Sequence, residues 1–402
     1  MSSAALPQAK NRTLVPVLGA ISFCHLLNDM MQSLLPAIYP ILKGGFDLSF
    51  AEIGFLTLTY QTTASLFQPL VGNFTDRRPQ PYSLPVGMVA SLLGVLALAL
   101  AKSYGALLLG AVLLGAGSSI FHPESSRIAR IASGGRHGVA QSLFQIGGNF
   151  GQALGPLLAA FLILPYGRGA LGIVALGGLV GVAILAALGR WYQRQGHARP
   201  RPRQSLPTPA LSQGEVRRAL VVLVALIFSK FIYLSSITSY YIFYLMQHFG
   251  LPTQAAQVDL FIFLAAAATG IMAGGVIGDR IGRKRVIWGS ILGVLPFTLA
   301  LPHVGLAGTV TLSIVIGLVL SSAFSAIVVY GQELMPGRVG MASGLFFGLA
   351  FGIAGIGAAV LGVLADWTSI DFVYRVCSFL PAIGLVAAFL PDIREPARDA
   401  RA

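Results

Sequence analysis

Read along the chain, apolar residues come in long blocks separated by short polar connections. Twelve blocks stand out, near 14–42, 50–75, 82–101, 104–130, 137–164, 167–192, 216–248, 254–278, 284–302, 305–331, 339–364 and 370–391. About 20 apolar residues are needed to cross a hydrocarbon layer ~30 Å thick. Backbone inside such a layer must satisfy its own hydrogen bonds, so each block is predicted to be a helix. The longest polar break, 193–214, runs through Arg199, Pro200, Arg201, Pro202 and Arg203 and reads as a flexible linker. The expected architecture is an all-α membrane protein of twelve transmembrane helices in two pseudo-symmetric six-helix bundles, 1–192 and 215–402, joined by that linker.

Composition strengthens this picture. Of 402 residues, 55% are hydrophobic and 10% charged. Soluble domains carry about 25% charged residues, so lipid is the expected solvent. The net charge of +13 raises the question of nucleic acid, and the distribution of charge answers it. With both termini placed in the cytoplasm, every Lys and Arg except Lys43, Lys102, Arg168, Arg375 and the intramembrane Lys230 falls in or beside an inner loop. That is the positive-inside asymmetry, and no nucleic-acid motif accompanies it. The first block is too long for a cleavable signal segment. Cys24 and Cys377, the two cysteines, both sit within blocks, so no disulfide framework or cysteine metal site is expected.

An internal repeat supports two halves. Gly72-Asn73-Phe74-Thr75-Asp76-Arg77-Arg78 after the second block is echoed by Gly275 to Arg285 after the eighth, which contains Asp279, Arg280 and Arg283. Gly138-Val139-Ala140 is echoed at nearly the same separation by Gly340-Met341-Ala342. In each first motif a glycine permits close helix approach, while an aspartate can cap a helix start and accept from arginine, making a breakable latch. The fifth block carries a ridge of Gly147, Gly148, Gly151 and Gly155 closed by Pro156, and the eleventh carries Gly344, Gly348, Gly352 and Gly355. Small residues four apart allow tight crossing, and proline bends a helix.

Ionisable residues inside a membrane are costly and become functional candidates. His25 and Asp29 share a helical face in the first block, beside Asn28. The fourth holds His122, Glu124 and Arg127, the fifth Gln141, Gln145 and Asn149, and the seventh Lys230 with Tyr233, Tyr240, Tyr241 and Tyr244. Asp29 and Glu124, assisted by His25 and Arg127, are the candidate proton carriers, since such carboxylates can load a proton on one side and release it on the other. Static roles, an ion pair of Glu124 with Arg127 and a hydrogen bond of Asp29 with His25, remain open. His25, Asn28, His122, Gln145, Asn149, Lys230, Tyr233, Tyr240 and Tyr241 are the candidate binding residues for a small anionic substrate. Gly72, Asp76, Arg77, Gly275, Asp279, Arg280, Arg283, Gly151, Gly155 and Pro156 are the candidate gating residues. Glu333 and Arg338 read as gate or surface residues, and Asp259 has no assigned role. No cofactor or resident metal is expected, although His25, Asp29, His122 and Glu124 offer donors of a zinc or manganese type.

The duplicated Gly-x-x-x-Asp-Arg loops and the glycine–proline ridge resemble the major facilitator superfamily. Its first, fourth, seventh and tenth helices line the cavity, and three of those four carry the charges named above. Phe23 to Leu34, Phe121 to Arg127, Phe228-Ser229-Lys230, Tyr240 to Met246 and Gln332 to Arg338 resemble its fosmidomycin-resistance exporters. The resemblance implies a monomeric, multi-pass bacterial inner-membrane protein, surrounded by lipid, that exchanges a small anionic drug for protons. Arg78-Pro79-Gln80-Pro81 departs from the usual first-loop pattern. Uptake of an organic anion or sugar with protons is the alternative. An intramembrane enzyme acting on a lipid phosphate lacks a serine or cysteine constellation, and a sensor lacks an added domain.

Overall fold

The computed structural model describes residues 13–78, 80–134, 136–194, 211–335 and 339–391, with the side chains of Asn73, Asp76, Arg77, Asp279, 137–139 and 339–344 outside the description. The described elements are all helical. They comprise α1 (Val15–Ala37), α2 (Tyr39–Phe46), α3 (Phe50–Arg77), α4 (Ser83–Leu100), α5 (Tyr104–Ala132), α6 (His137–Leu158), the short α7 (Leu164–Tyr166) and α8 (Leu171–Arg194). After the linker come α9 (Gln213–Phe249), α10 (Thr253–Ile281), α11 (Arg283–Ile291), α12 (Leu295–Ala300), α13 (Leu306–Leu334), α14 (Val339–Trp367) and α15 (Ile370–Cys377).

The boundaries have local causes. Ser49 with Glu52, and Ser212 with Glu215, form reciprocal capping boxes that start α3 and α9. Gly250, at φ 66°, ends α9 in the left-handed region, and Gly282, at φ 94°, separates α10 from α11. Pro156 in α6 is followed by a π-helical turn, Ala159–Ile163, because a mid-helix proline removes a backbone donor and forces the ladder to readjust. Several predicted blocks are broken internally. The ninth splits at 292–294 into α11 and α12, and the twelfth is α15 followed by a 3₁₀ stretch, Leu380–Phe389. Apolarity alone does not report such breaks.

Ten helical segments among the described residues are long and apolar enough to cross a membrane. The two remaining blocks, α1 and α3, span 23 and 28 residues. Their mean hydropathy is lowered by polar side chains turned inward, including Asn28, Asp29, Gln32, Thr57 and Ser65. Outward positions such as Leu66, Leu70, Val180, Val221 and Val360 are exposed and apolar, as lipid contact requires.

In the first half α1 packs on α6, α3 on α5, and α4 on α5 and α8; in the second α10 packs on α13 and α9 on α14. With no hydrophobic drive between helices in lipid, close approach is set by small residues. A Cβ on Gly147, Gly151 or Gly155 would run into α1 at Ser22, Leu26 or Ser33, so α6 lies directly on the α1 backbone. Gly270 and Gly274 place α10 on Leu318 and Ser322 of α13 in the same way.

The halves meet along α3 with α14 and α6 with α10. Their polar links gather at the end remote from the linker. Asp366 on α14 accepts from the Phe50 and Ala51 amides at 2.8 and 2.7 Å, capping the start of α3 from the other half. Gln257 donates to the Ala37 carbonyl and Gln254 to the Ala160 carbonyl, at 3.0 and 3.2 Å. At the linker end no hydrogen bond or ion pair joins the halves among the described residues. Among the described residues the polar contacts between the halves therefore close the far end.

Candidate functional site

A cluster of buried polar side chains lies where α1, α5 and α6 converge. Asp29 sits on α1 one turn beyond His25, and both are 2% exposed. His25 Nδ1 donates to the Phe144 carbonyl of α6 at 2.8 Å, while its ring stacks on Phe144 with centroids 3.9 Å apart. His122 Nδ1 donates to the Ser118 carbonyl of its own helix at 2.9 Å. A carbonyl can only accept, so both Nδ1 atoms carry hydrogen, and both Nε2 atoms are left to face Asp29. They do so at 3.3 Å for His25 and 3.4 Å for His122. His25 Nε2 lies within ion-pair range but makes no hydrogen bond of good geometry.

The remaining contacts hold Asp29 in place. Asn28 and Gln152 donate to its two oxygens at 3.1 and 3.3 Å, and Ser91 of α4 fixes Asn28 at 2.9 Å. Gly148 makes the site possible, since a Cβ there would strike the His25 imidazole and lie 2.9 Å from the Asp29 carboxylate. With Nδ1 already protonated, a neutral histidine would turn an Nε2 lone pair toward an ionised Asp29. Either Nε2 is therefore a position at which a proton can be taken up facing the carboxylate. The His122 side chain is 24% exposed while the other two are nearly closed off, so His122 is the member through which a proton can enter. The three donor atoms lie within 4.8 Å of one another, and Glu124 is not among them. The four-donor metal arrangement considered from the sequence is not assembled.

Glu124 faces elsewhere. Its carboxylate, 1% exposed, meets Arg127 at 3.3 Å and accepts from Ser83 of α4 at 3.2 Å. Arg127 in turn donates to the Thr75 carbonyl and hydroxyl near the end of α3, at 2.8 and 3.0 Å. The pair ties α3, α4 and α5 together toward the linker end.

The candidate binding residues divide. His25, Asn28 and His122 join Asp29, and Gln145 and Asn149 are half-buried along α6. Lys230 lies in the other half, 2% exposed, with Nζ 3.4 Å from the Ser321 carbonyl and over the Phe324 and Phe231 rings at 5.4 and 5.7 Å. No carboxylate reaches it among the described residues. Tyr240 is not placed to orient a substrate in this state, because its hydroxyl is bonded to the Ala358 carbonyl at 2.6 Å inside the far-end closure. Tyr233 and Tyr241 are likewise buried, the latter with an unpartnered hydroxyl. Gln152, Ser91, Ser118 and Phe144 were not singled out from the sequence. Gln152 continues the polar series of Gln145 and Asn149 along α6, and that signal was available.

Among the gating residues, the close approach expected at Gly72 and Gly275 is not made, for a Cβ at either meets nothing within 4 Å. The side chains of Asp76, Arg77 and Asp279, and all of Arg338, lie outside the described residues. Arg280 is exposed. Arg283 pairs with Glu333 of α13 at 3.1 Å, within one half. Gly151 and Gly155 belong to the α1–α6 contact, and Pro156 is buried in α6 just beyond them. In the eleventh block Gly348 and Gly352 face open space, and only Gly355 of the described ridge touches α3, at Gln61 and Leu58.

The profile of the Major Facilitator Superfamily matches residues 21–359 and 260–402. The chain is 57% identical to the Fosmidomycin resistance protein of Escherichia coli (strain K12), covering 98% of this chain and 97% of that protein. It is 40% identical to the uncharacterized MFS-type transporter YfnC of Bacillus subtilis (strain 168), over 96% of this chain and 95% of that one. Among solved structures, a bacterial homolog of the human lysosomal transporter Spinster, inward-facing and occupied, superposes with a TM-score of 0.77 at 15% identity, covering 96% and 99%. A D-xylose-proton symporter superposes at 0.74 with 16% identity, covering 95% and 99%.

Proposed function

The chain belongs to the Major Facilitator Superfamily and is a multi-pass membrane transporter, and we propose that it exports fosmidomycin or a similar small anion in exchange for protons. The observation that carries this reading is the His25–Asp29–His122 cluster, a buried carboxylate facing two imidazoles of which only His122 is partly exposed. The similarity to the Fosmidomycin resistance protein of Escherichia coli supports the choice of substrate.

In this reading twelve spans form two bundles, 1–192 and 215–402, with 193–214 and both termini in the cytoplasm, as the charge asymmetry favours. The chain works as a monomer in the bacterial inner membrane. The linker end then faces the cytoplasm and is where the drug enters. Lys230 supplies positive charge for the anion once the Phe231 and Phe324 rings move aside, and Gln145 and Asn149 orient it from α6. The bundles rock about this midplane site, the Asp366 cap on α3 breaks, and the far end opens. Protons entering from outside occupy the N···O gaps around Asp29 and are released when the linker end reopens. Glu124 with Arg127 braces the first bundle during that motion, so Asp29 is the preferred carrier of the two carboxylates.

Direction of transport separates this reading from uptake. A fosmidomycin-sensitive host expressing the chain is expected to hold several-fold less drug at steady state, with the difference erased by a protonophore. A rise in cell-associated drug would establish uptake instead.

A further inference from the structure

We propose that the crevice at the linker end of α9 is a binding site for an anionic phospholipid. The crevice, of about 520 Å³, runs between the start of α9 and the 3₁₀ stretch that ends the fold. Its mouth carries Arg217 and Arg218, both exposed. Below them the wall is apolar, formed by Val221, Val222, Ala225, Val386 and Phe389.

Two features select an anion. No carboxylate lies within ion-pair distance of either guanidinium among the described residues. The nearest acidic side chain in sequence, Glu215, is turned back on the helix start, accepting from the Ser212 amide at 2.8 Å and from the Ser212 hydroxyl at 2.9 Å. Of the two adjoining segments, 195–210 contains His197, Arg199, Arg201 and Arg203 and no acidic residue, while 392–402 is balanced, with Asp392, Glu395 and Asp399 against Arg394, Arg398 and Arg401.

Two further features select a lipid over a free anion. Val221 and Phe389 are 65% and 63% exposed, and they lie in segments long and apolar enough to span a membrane. A ligand that fills the crevice therefore needs a charged head beside the arginines and a hydrocarbon chain beneath them. Basic positions at the inner leaflet attract anionic headgroups in this way. Arginine forks also match phosphate geometry. The site is independent of the direction of transport and of the coupling cluster.

The test is native mass spectrometry of the purified full chain titrated with phosphatidylglycerol or with phosphatidylcholine of the same acyl chains. Preferential retention of phosphatidylglycerol is expected, and the Arg217→Gln/Arg218→Gln double variant should lose roughly thirtyfold of it, from the attraction of two interfacial arginines. Val221→Trp fills the apolar wall while keeping both charges, and it should lose the lipid as well; it decides the question if the arginine variant does not fold. The matched pair Arg190→Gln/Arg194→Gln at the end of α8 should retain it. Unchanged retention in both crevice variants overturns the proposal. So does equal loss in the α8 pair, which would indicate surface charge alone, or displacement of the lipid by inorganic phosphate, which would indicate a free-anion site.

Discussion

Asp29→Asn is expected to reduce drug-driven proton movement and resistance by at least about a hundredfold while leaving the protein folded. The amide has the shape of the carboxylate, and its one carbonyl oxygen can keep the bond from either Asn28 or Gln152, which reach different oxygens of Asp29. What disappears is the charge that His25 and His122 face at 3.3 and 3.4 Å. Breaking a buried charge pair by removing one partner typically costs about 3–5 kcal/mol, and each 1.4 kcal/mol is roughly tenfold in an equilibrium constant. A proton held between imidazole and carboxylate would lose that much of its binding. The check is a drug-inhibition series in a sensitive host, with monodispersity of the purified variant by gel filtration. Full resistance from a well-expressed Asp29→Asn protein would remove Asp29 from the coupling scheme. If Glu124→Gln lost resistance in the same series, the proton would move to the second carboxylate.

The second large effect concerns the fold. Gly151→Val should remove most of the protein from the membrane fraction, whereas Gly352→Val should leave yield and melting temperature near those of the parent. A Cβ at 151 would overlap the Leu26 carbonyl and sit 3.0 Å from its Cα, which is backbone and cannot rotate away. Overpacking costs typically about 1–3 kcal/mol and occasionally more, and here relief requires prising α1 from α6. That movement would also carry His25 and Asp29 away from Phe144 and Gln152. At Gly352 a Cβ meets nothing within 4 Å, so the added methyl groups enter open space. Equal yields of the two variants would contradict the packing derived for α6.

These two glycines show what the sequence could and could not disclose. Both ridges read as places of tight crossing, since a row of small residues looks the same whether or not a helix lies against it. Only the α6 ridge is covered along its length. Likewise, the four-residue spacing of His25 and Asp29 placed them on one face, and the chemistry of His122 marked it as unusual. That all three converge on one carboxylate depends on how α5 and α1 cross, and no local pattern encodes that. Glu124, two residues from His122, looked like a partner of the same cluster and proved to face α3 and α4 instead. Conversely, the blocks for α1 and α3 were legible in spite of their polar content, because their length and flanking turns outweighed it. Lys230 stood out as a lone charge, yet its cover of Phe231 and Phe324 comes partly from α13, distant in sequence. The Asp366 cap on α3 joins residues far apart in the chain, and nothing local announces it.

The most direct test of exchange between drug and protons uses the purified chain in proteoliposomes that contain a pH-sensitive dye and carry no imposed gradient. Fosmidomycin is added outside, and internal pH is followed alongside uptake of the drug. Antiport predicts that protons leave as drug enters, so the lumen turns alkaline at a rate that saturates with drug and vanishes in Asp29→Asn. Drug entry accompanied by acidification would mean that drug and protons travel together, and drug entry with no pH change would mean uncoupled transport; either result would contradict the account.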